Sequence, residues 1–65
     1  MLSQNQQNEA MRIARFVAEN GRVRSKGGKF VKASMEAEVS FEAGERGHDA
    51  RTAQEMGRYA ARNSI

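Results

Sequence analysis

Apolar and polar positions follow two different rhythms along this chain. From Gln4 to Glu19 the period is helical. Laid out at about 100° per residue, Ala10, Met11, Ile13, Ala14, Phe16, Val17 and Ala18 fall on one arc, while Asn8, Arg12, Arg15 and Glu19 share the other side. Ser3 followed by Gln6 has the spacing of a capping box, and Asn20-Gly21 supplies the left-handed exit that helices favour. An amphipathic helix over residues 4–19 follows.

The rhythm changes in the middle of the chain. From Val31 to Ala43 the odd positions read Val31, Ala33, Met35, Ala37, Val39, Phe41 and Ala43, and the even ones Lys32, Ser34, Glu36, Glu38, Ser40 and Glu42. Strict alternation over this length is the signature of a half-buried strand. Local composition points the other way, because Ala, Met and Glu favour helix and Gly44 would end one. The alternation predicts a long strand, and a short helix from about Met35 to Ala43 is the alternative.

A strand needs partners. Gly27-Gly28 suits a two-residue hairpin turn, since adjacent glycines accept its positive φ angles, and Arg22 to Lys26 would pair with Lys29 to Ala33. No Gly, Pro, Asn or Asp lies between Lys29 and Gly44 to turn the chain again, so Met35, Ala37, Val39 and Phe41 lack a local partner. Pairing with a second copy, or with another protein, would satisfy that edge, which makes these four the expected interface.

The stretch Ala43 to Asp49, AGERGHD, reads as a loop, and Asp49 as the N-cap of a last helix reaching about Arg62. On it Ala53, Gly57 and Ala61 form a stripe of small residues, with Met56, Tyr59 and Ala60 alongside and Arg51, Glu55, Arg58 and Arg62 on a polar face. Such a stripe permits close packing. The fold expected is therefore α+β: one domain with an N-terminal amphipathic helix, a basic hairpin and long strand over about 22–43, and a C-terminal helix over about 49–62. An all-α three-helix chain is the alternative.

Composition narrows the possibilities. With 65 residues only a small core is available, and with no Cys there is no disulfide to support it, so self-association is the remaining device. The absence of Cys, and an N-terminal segment without the basic start and apolar run of a signal peptide, suggest a cytoplasmic location. No stretch approaches the roughly 20 apolar residues of a membrane helix.

Charge is segregated. Residues 21–34 carry +5, residues 35–45 carry −4 and residues 46–65 carry +2, within a net charge of +3. A basic hairpin bearing Arg22, Arg24, Lys26, Lys29 and Lys32, backed by Arg51, Arg58 and Arg62 on the last helix, has the chemistry of phosphate-backbone contacts. Of the aromatic residues, Phe30 stands on the polar-side parity of the strand and is the one expected to be exposed, with Phe16 and Phe41 in the core. SKGGK has the residues of a phosphate loop without its spacing.

Nothing points to catalysis. The sole histidine, His48, has Glu42 and Glu45 nearby in sequence but no second His or Cys to complete a metal site. No Gly-x-Ser-x-Gly nucleophile motif occurs. The expectation is a non-enzymatic nucleic-acid-binding protein acting as a homodimer, without cofactor or metal. The alternative is a protein-interaction module, a small inhibitor or adaptor, that docks through the strand edge or the acidic face of Glu36, Glu38 and Glu42.

Overall fold

Capping sets the limits of the first helix, α1 (Gln4–Glu19), as expected. Ser3 Oγ accepts from the Gln6 amide at 3.1 Å, and Gln6 Oε1 accepts from the Ser3 amide at 2.9 Å. At the other end Gly21, with φ +70°, turns the chain. The Arg22 amide reaches back to the Val17 carbonyl and the Gly21 amide to that of Ala18, which is a Schellman closure. The computed structural model describes the whole chain, Met1–Ile65.

Val23 is then buried and anchors the following segment. The hairpin turns on Gly27 and Gly28, with φ +60° and +80°. Strands β1 (Ser25–Lys26) and β2 (Lys29–Phe30) are antiparallel, with Ser25 opposite Phe30 and Lys26 opposite Lys29. This is the register expected from the turn. The Val31 amide, donating to the Arg24 carbonyl at 2.9 Å, adds a last rung. Pairing stops there, short of the expected Arg22 to Ala33.

It stops because Lys32 begins a helix. The segment expected as a long strand is α2 (Lys32–Glu45), longer at both ends than the alternative helix from Met35 to Ala43. The alternation conceals a second period. Met35, Val39 and Ala43 recur every four residues, and these are buried, whereas Ala33, Ala37 and Phe41, equally odd-numbered, face outward. Two of those three are alanines, which cost little in water and favour helix. A strand over the same residues would have left its backbone unpaired on both edges, while the helix satisfies it internally.

A second Schellman closure ends α2. Gly47, with φ +103°, lets its own amide reach the Gly44 carbonyl and the His48 amide reach that of Ala43. Asp49 Oδ1 then accepts from the Thr52 amide at 2.8 Å and starts α3 (Ala50–Ser64), as its N-cap role predicts. The architecture is three helices plus one small antiparallel hairpin, so the α+β expectation holds for the hairpin and the all-α alternative describes the bulk.

The core is made of few large residues and many small ones. Ile13, Val17, Met35, Val39 and Met56 are its largest fully buried side chains, and Ala10, Ala14, Ala43, Ala53, Ala60 and Ala61 fill the rest. Leu2 and Tyr59 pack against its edge. Small residues let the helices approach closely, as they do at Gly57 of the expected stripe. A Cβ there would fall on Ser40 Oγ and stand 2.5 Å from the Glu36 carbonyl oxygen, both on α2. Gly44, in the last turn of α2, has open space instead.

These two glycines respond in opposite directions to the same change. Gly57→Ala lowers the unfolding free energy by ~1–3 kcal/mol or more, because α3 must move off α2. Gly44→Ala raises it by ~0.5–1 kcal/mol, through helix propensity. Urea titration followed by helical circular dichroism measures both; a neutral Gly57→Ala would show that the two helices are not in close contact.

Candidate nucleic-acid interface

Ion pairs sort the charged residues into those that hold the fold and those that do not. Arg22, just past α1, donates from Nε to Glu38 Oε1 at 3.0 Å and from Nη1 to Glu42 Oε1 at 2.8 Å. Glu42 Oε2 also accepts from Arg46 Nε at 3.1 Å. The Arg22 guanidinium, and after it that of Arg46, holds the Glu42 carboxyl below its ordinary range, while Glu42 and then Glu38 raise Arg22. Arg22 was expected to contact phosphate; its guanidinium is instead engaged in joining the end of α1 to the side of α2.

The other carboxylates are also largely occupied. His48 Nε2 lies 2.9 Å from Glu9 Oε1, so the turn before α3 is tied to α1 rather than to the nearby Glu42 or Glu45. Asp49 caps α3, and the bond from the Thr52 amide keeps its carboxyl below the ordinary value. Glu55 faces the amino terminus at 3.6 Å. Of the eight acids this leaves Glu19, Glu36 and Glu45 without a partner. Of the eleven Lys and Arg, only Arg22 and Arg46 are paired, which leaves nine free.

Four of the nine, Arg24, Lys26, Lys29 and Lys32, are the exposed cations of the hairpin and the start of α2. The Arg24 amide donates to the buried Ser34 Oγ at 2.8 Å, which fixes the hairpin base on the first turn of α2. The tip lies beside the end of α3, where Gly28, Lys29 and Phe30 share a groove with Ser64 and Ile65. Arg62 belongs to that same end of α3. Arg58 and Arg62 line a separate groove with Leu2 and Gln7 of the N-terminal segment. Arg51 lies eleven residues before Arg62, about 16 Å away along the helix at 1.5 Å per residue. The expected eight-residue basic site is therefore not a single surface: Arg22 is taken up by the fold, and Arg51 sits at the opposite end of α3.

Arg15 is not among the residues expected at the interface. It projects from the polar face of α1, yet it lines a groove with Phe30 of the hairpin. No local pattern in the sequence brings these two residues to one groove; the tertiary arrangement of the helices and the hairpin does.

The aromatic residues are arranged differently from the expectation. Phe30 is exposed, at 38%, but Phe16 at 40% and Phe41 at 62% are more so. Phe16 stands too far from the centre of the α1 stripe, where only Ala10, Ile13, Ala14 and Val17 are buried. It lies instead beneath the Arg46 guanidinium, 5.2 Å from its ring centre, and Phe41 lies 6.0 Å from that of Arg22.

The interface expected on Met35, Ala37, Val39 and Phe41 is also divided. Met35 and Val39 are fully buried within the chain's own core, and only Ala37 and Phe41 remain outside. The acidic face of Glu36, Glu38 and Glu42 is split as well. Glu38 and Glu42 bind Arg22, while Glu36 lies on the flank of α2 toward α3, in a groove with Gln54 and Arg58. No three His, Asp or Glu residues converge on a point where they could hold a metal ion. No helix is long and apolar enough to cross a membrane.

Comparison with protein-family models, with curated proteins and with solved structures finds no match to this chain.

The Arg22–Glu42–Arg46 chain makes stability depend on pH. A carboxyl whose folded pKa is depressed contributes stability that is fully present above its unfolded value and is lost as the pH falls through the folded one. Glu42→Gln should therefore unfold at lower temperature than the parent near neutrality, with a difference that shrinks as the pH falls below the ordinary glutamate value of 4.5. Melting curves from pH 7 to pH 3 measure it, and a difference that grows in acid would refute the assignment.

Proposed function

We propose that this protein is a small, non-enzymatic nucleic-acid-binding protein of the cytoplasm, which holds the phosphate backbone with the cations of its hairpin and of the neighbouring helix ends. One observation carries the reading. Internal pairing uses up most of the acids and leaves nine of eleven cations free, four of them on or next to the hairpin. The contacting residues are Arg24, Lys26, Lys29 and Lys32, with Arg15 in the groove that Phe30 lines; Arg62 stands with Arg58 in a separate groove and contributes from there. Arg22 has a structural role. Arg58 and Arg51 extend the positive field along α3 and steer the approach of a polyanion.

A second reading has its own observation. Phe41 and Phe16 are exposed on the α1–α2 side, and contact with a second copy of the chain would cover them. That homodimer would form through helices, because Met35 to Phe41, the expected pairing strand, lies within α2. Sedimentation equilibrium of the parent and of Phe41→Asp decides it, with a dimer lost in the variant as the supporting result.

Fluorescence anisotropy of labelled oligonucleotides at several salt concentrations tests the first reading. Affinity should fall steeply with salt, and reversing Lys26 and Lys29 together to Glu should weaken binding to every sequence and reduce the salt slope by about two. Glu45→Gln, which alters an exposed and unpaired acid, should leave binding unchanged or slightly tighter. Absence of binding at low salt, or indifference to the double reversal, would remove the reading.

A further inference from the structure

The groove between α1 and the hairpin has features that phosphate contacts alone do not require. Its walls are Met11, Ala14, Ala18, Phe30 and Met35, with Ser64 of α3 at its edge; its volume is about 210 Å³, and the only charged residue lining it is Arg15. The volume is below the roughly 300–1,000 Å³ of sites for drug-sized ligands. It suits one flat, largely apolar group. Around the hairpin side, the adjoining groove brings Lys29 and Phe30 together with the end of α3, with no Asp or Glu in its lining. The groove thus pairs an aromatic face with cations on two flanks.

We propose that this groove receives one unstacked base of a single-stranded nucleic acid, with Phe30 as the stacking surface and Arg15 and Lys29 holding the flanking phosphates. The inference rests on the nucleic-acid reading above and adds the class of nucleic acid to it. Single strands are the fitting class because a duplex keeps its base faces stacked and presents only their edges, which an apolar slot cannot read. Charge complementarity selects a polyanion over an uncharged apolar ligand. Stacking on one aromatic is tolerant of sequence, since every base has a π face, so the contact confers preference for strandedness rather than for sequence.

The test uses the parent chain and three oligonucleotides of equal length: a single strand bearing bases, a single strand of abasic sites, and a duplex. DNA and RNA single strands are run separately to distinguish the two sources of the base. The base-bearing strand should bind about ten- to hundredfold more tightly than the abasic one, as expected for loss of a stacked base. Phe30→Ala should abolish that difference while leaving affinity for the abasic strand unchanged. The chain has no Trp, so Phe30→Trp introduces a single indole whose fluorescence should be quenched by the base-bearing strand and not by the duplex. Equal affinity for base-bearing and abasic strands, or a duplex bound as tightly as the single strand, would overturn the inference and leave backbone binding standing. Failure of all three to bind at low salt would overturn both. The comparison of oligonucleotides needs no mutation, so a variant that folds poorly cannot obscure it.

Discussion

Helix α3 meets α2 at Gly57, which has no side chain of its own, so its backbone rests directly on the Ser40 side chain and near the Glu36 carbonyl of the other helix. A 65-residue chain without disulfides has little apolar surface to bury, so close backbone approach must supply what large side chains do not. Half of the twelve core residues are alanines, which contribute little area individually but allow dispersion contacts between helices at short range. The turn between the helices serves the same end. Gly47 closes α2 and Asp49 opens α3 within two residues, so α3 is returned along α2 without slack. With this pair set, α1 has a surface on which Ile13 and Val17 can be buried.

The second organising feature is where the acids go. Most carboxylates serve the fold: Glu38 and Glu42 hold Arg22, Glu9 meets His48, and Asp49 caps a helix. Each of these contacts joins an element to its neighbour or terminates one. The cations are used far less, with only Arg22 and Arg46 engaged. Five of the eight acids are engaged by partners within the chain, so the unpaired charged side chains are mostly cations, nine against three. The hairpin gains most from this arrangement. It is held at its base by Arg24 and Ser34 and by the buried Val23, while its tip, built on two positive-φ glycines, carries lysines that no carboxylate restrains.

Features that depend on a few neighbouring residues were readable from the sequence. The capping box at Ser3, the exit at Gly21, the turn at Gly27-Gly28 with its register, and the N-cap at Asp49 are all decided within about four residues of chain. So was the exposure of the hairpin cations, which follows from their density. The central segment was not readable in this way. Alternation from Val31 to Ala43 includes both a strand face and a helical stripe of Met35, Val39 and Ala43, and periodicity alone favoured the strand. Helix-forming composition and the lack of any strand to pair with decided the matter.

Site residues divide along the same line. Lys26 and Lys29 could be assigned from the turn they flank, but the role of Arg22 depends on Glu38 and Glu42, which lie 16 and 20 residues away. The meeting of Arg15 with Phe30, the burial of Met35 and Val39, and the exposure of Phe16 and Phe41 likewise arise only when the helices pack. The sequence by itself determined where elements begin, end and turn, because caps and positive-φ glycines act through local hydrogen bonds and sterics. The tertiary structure decided which apolar residues lie inside and which charges remain free, because burial and ion pairing depend on the distances between helices that local patterns do not encode.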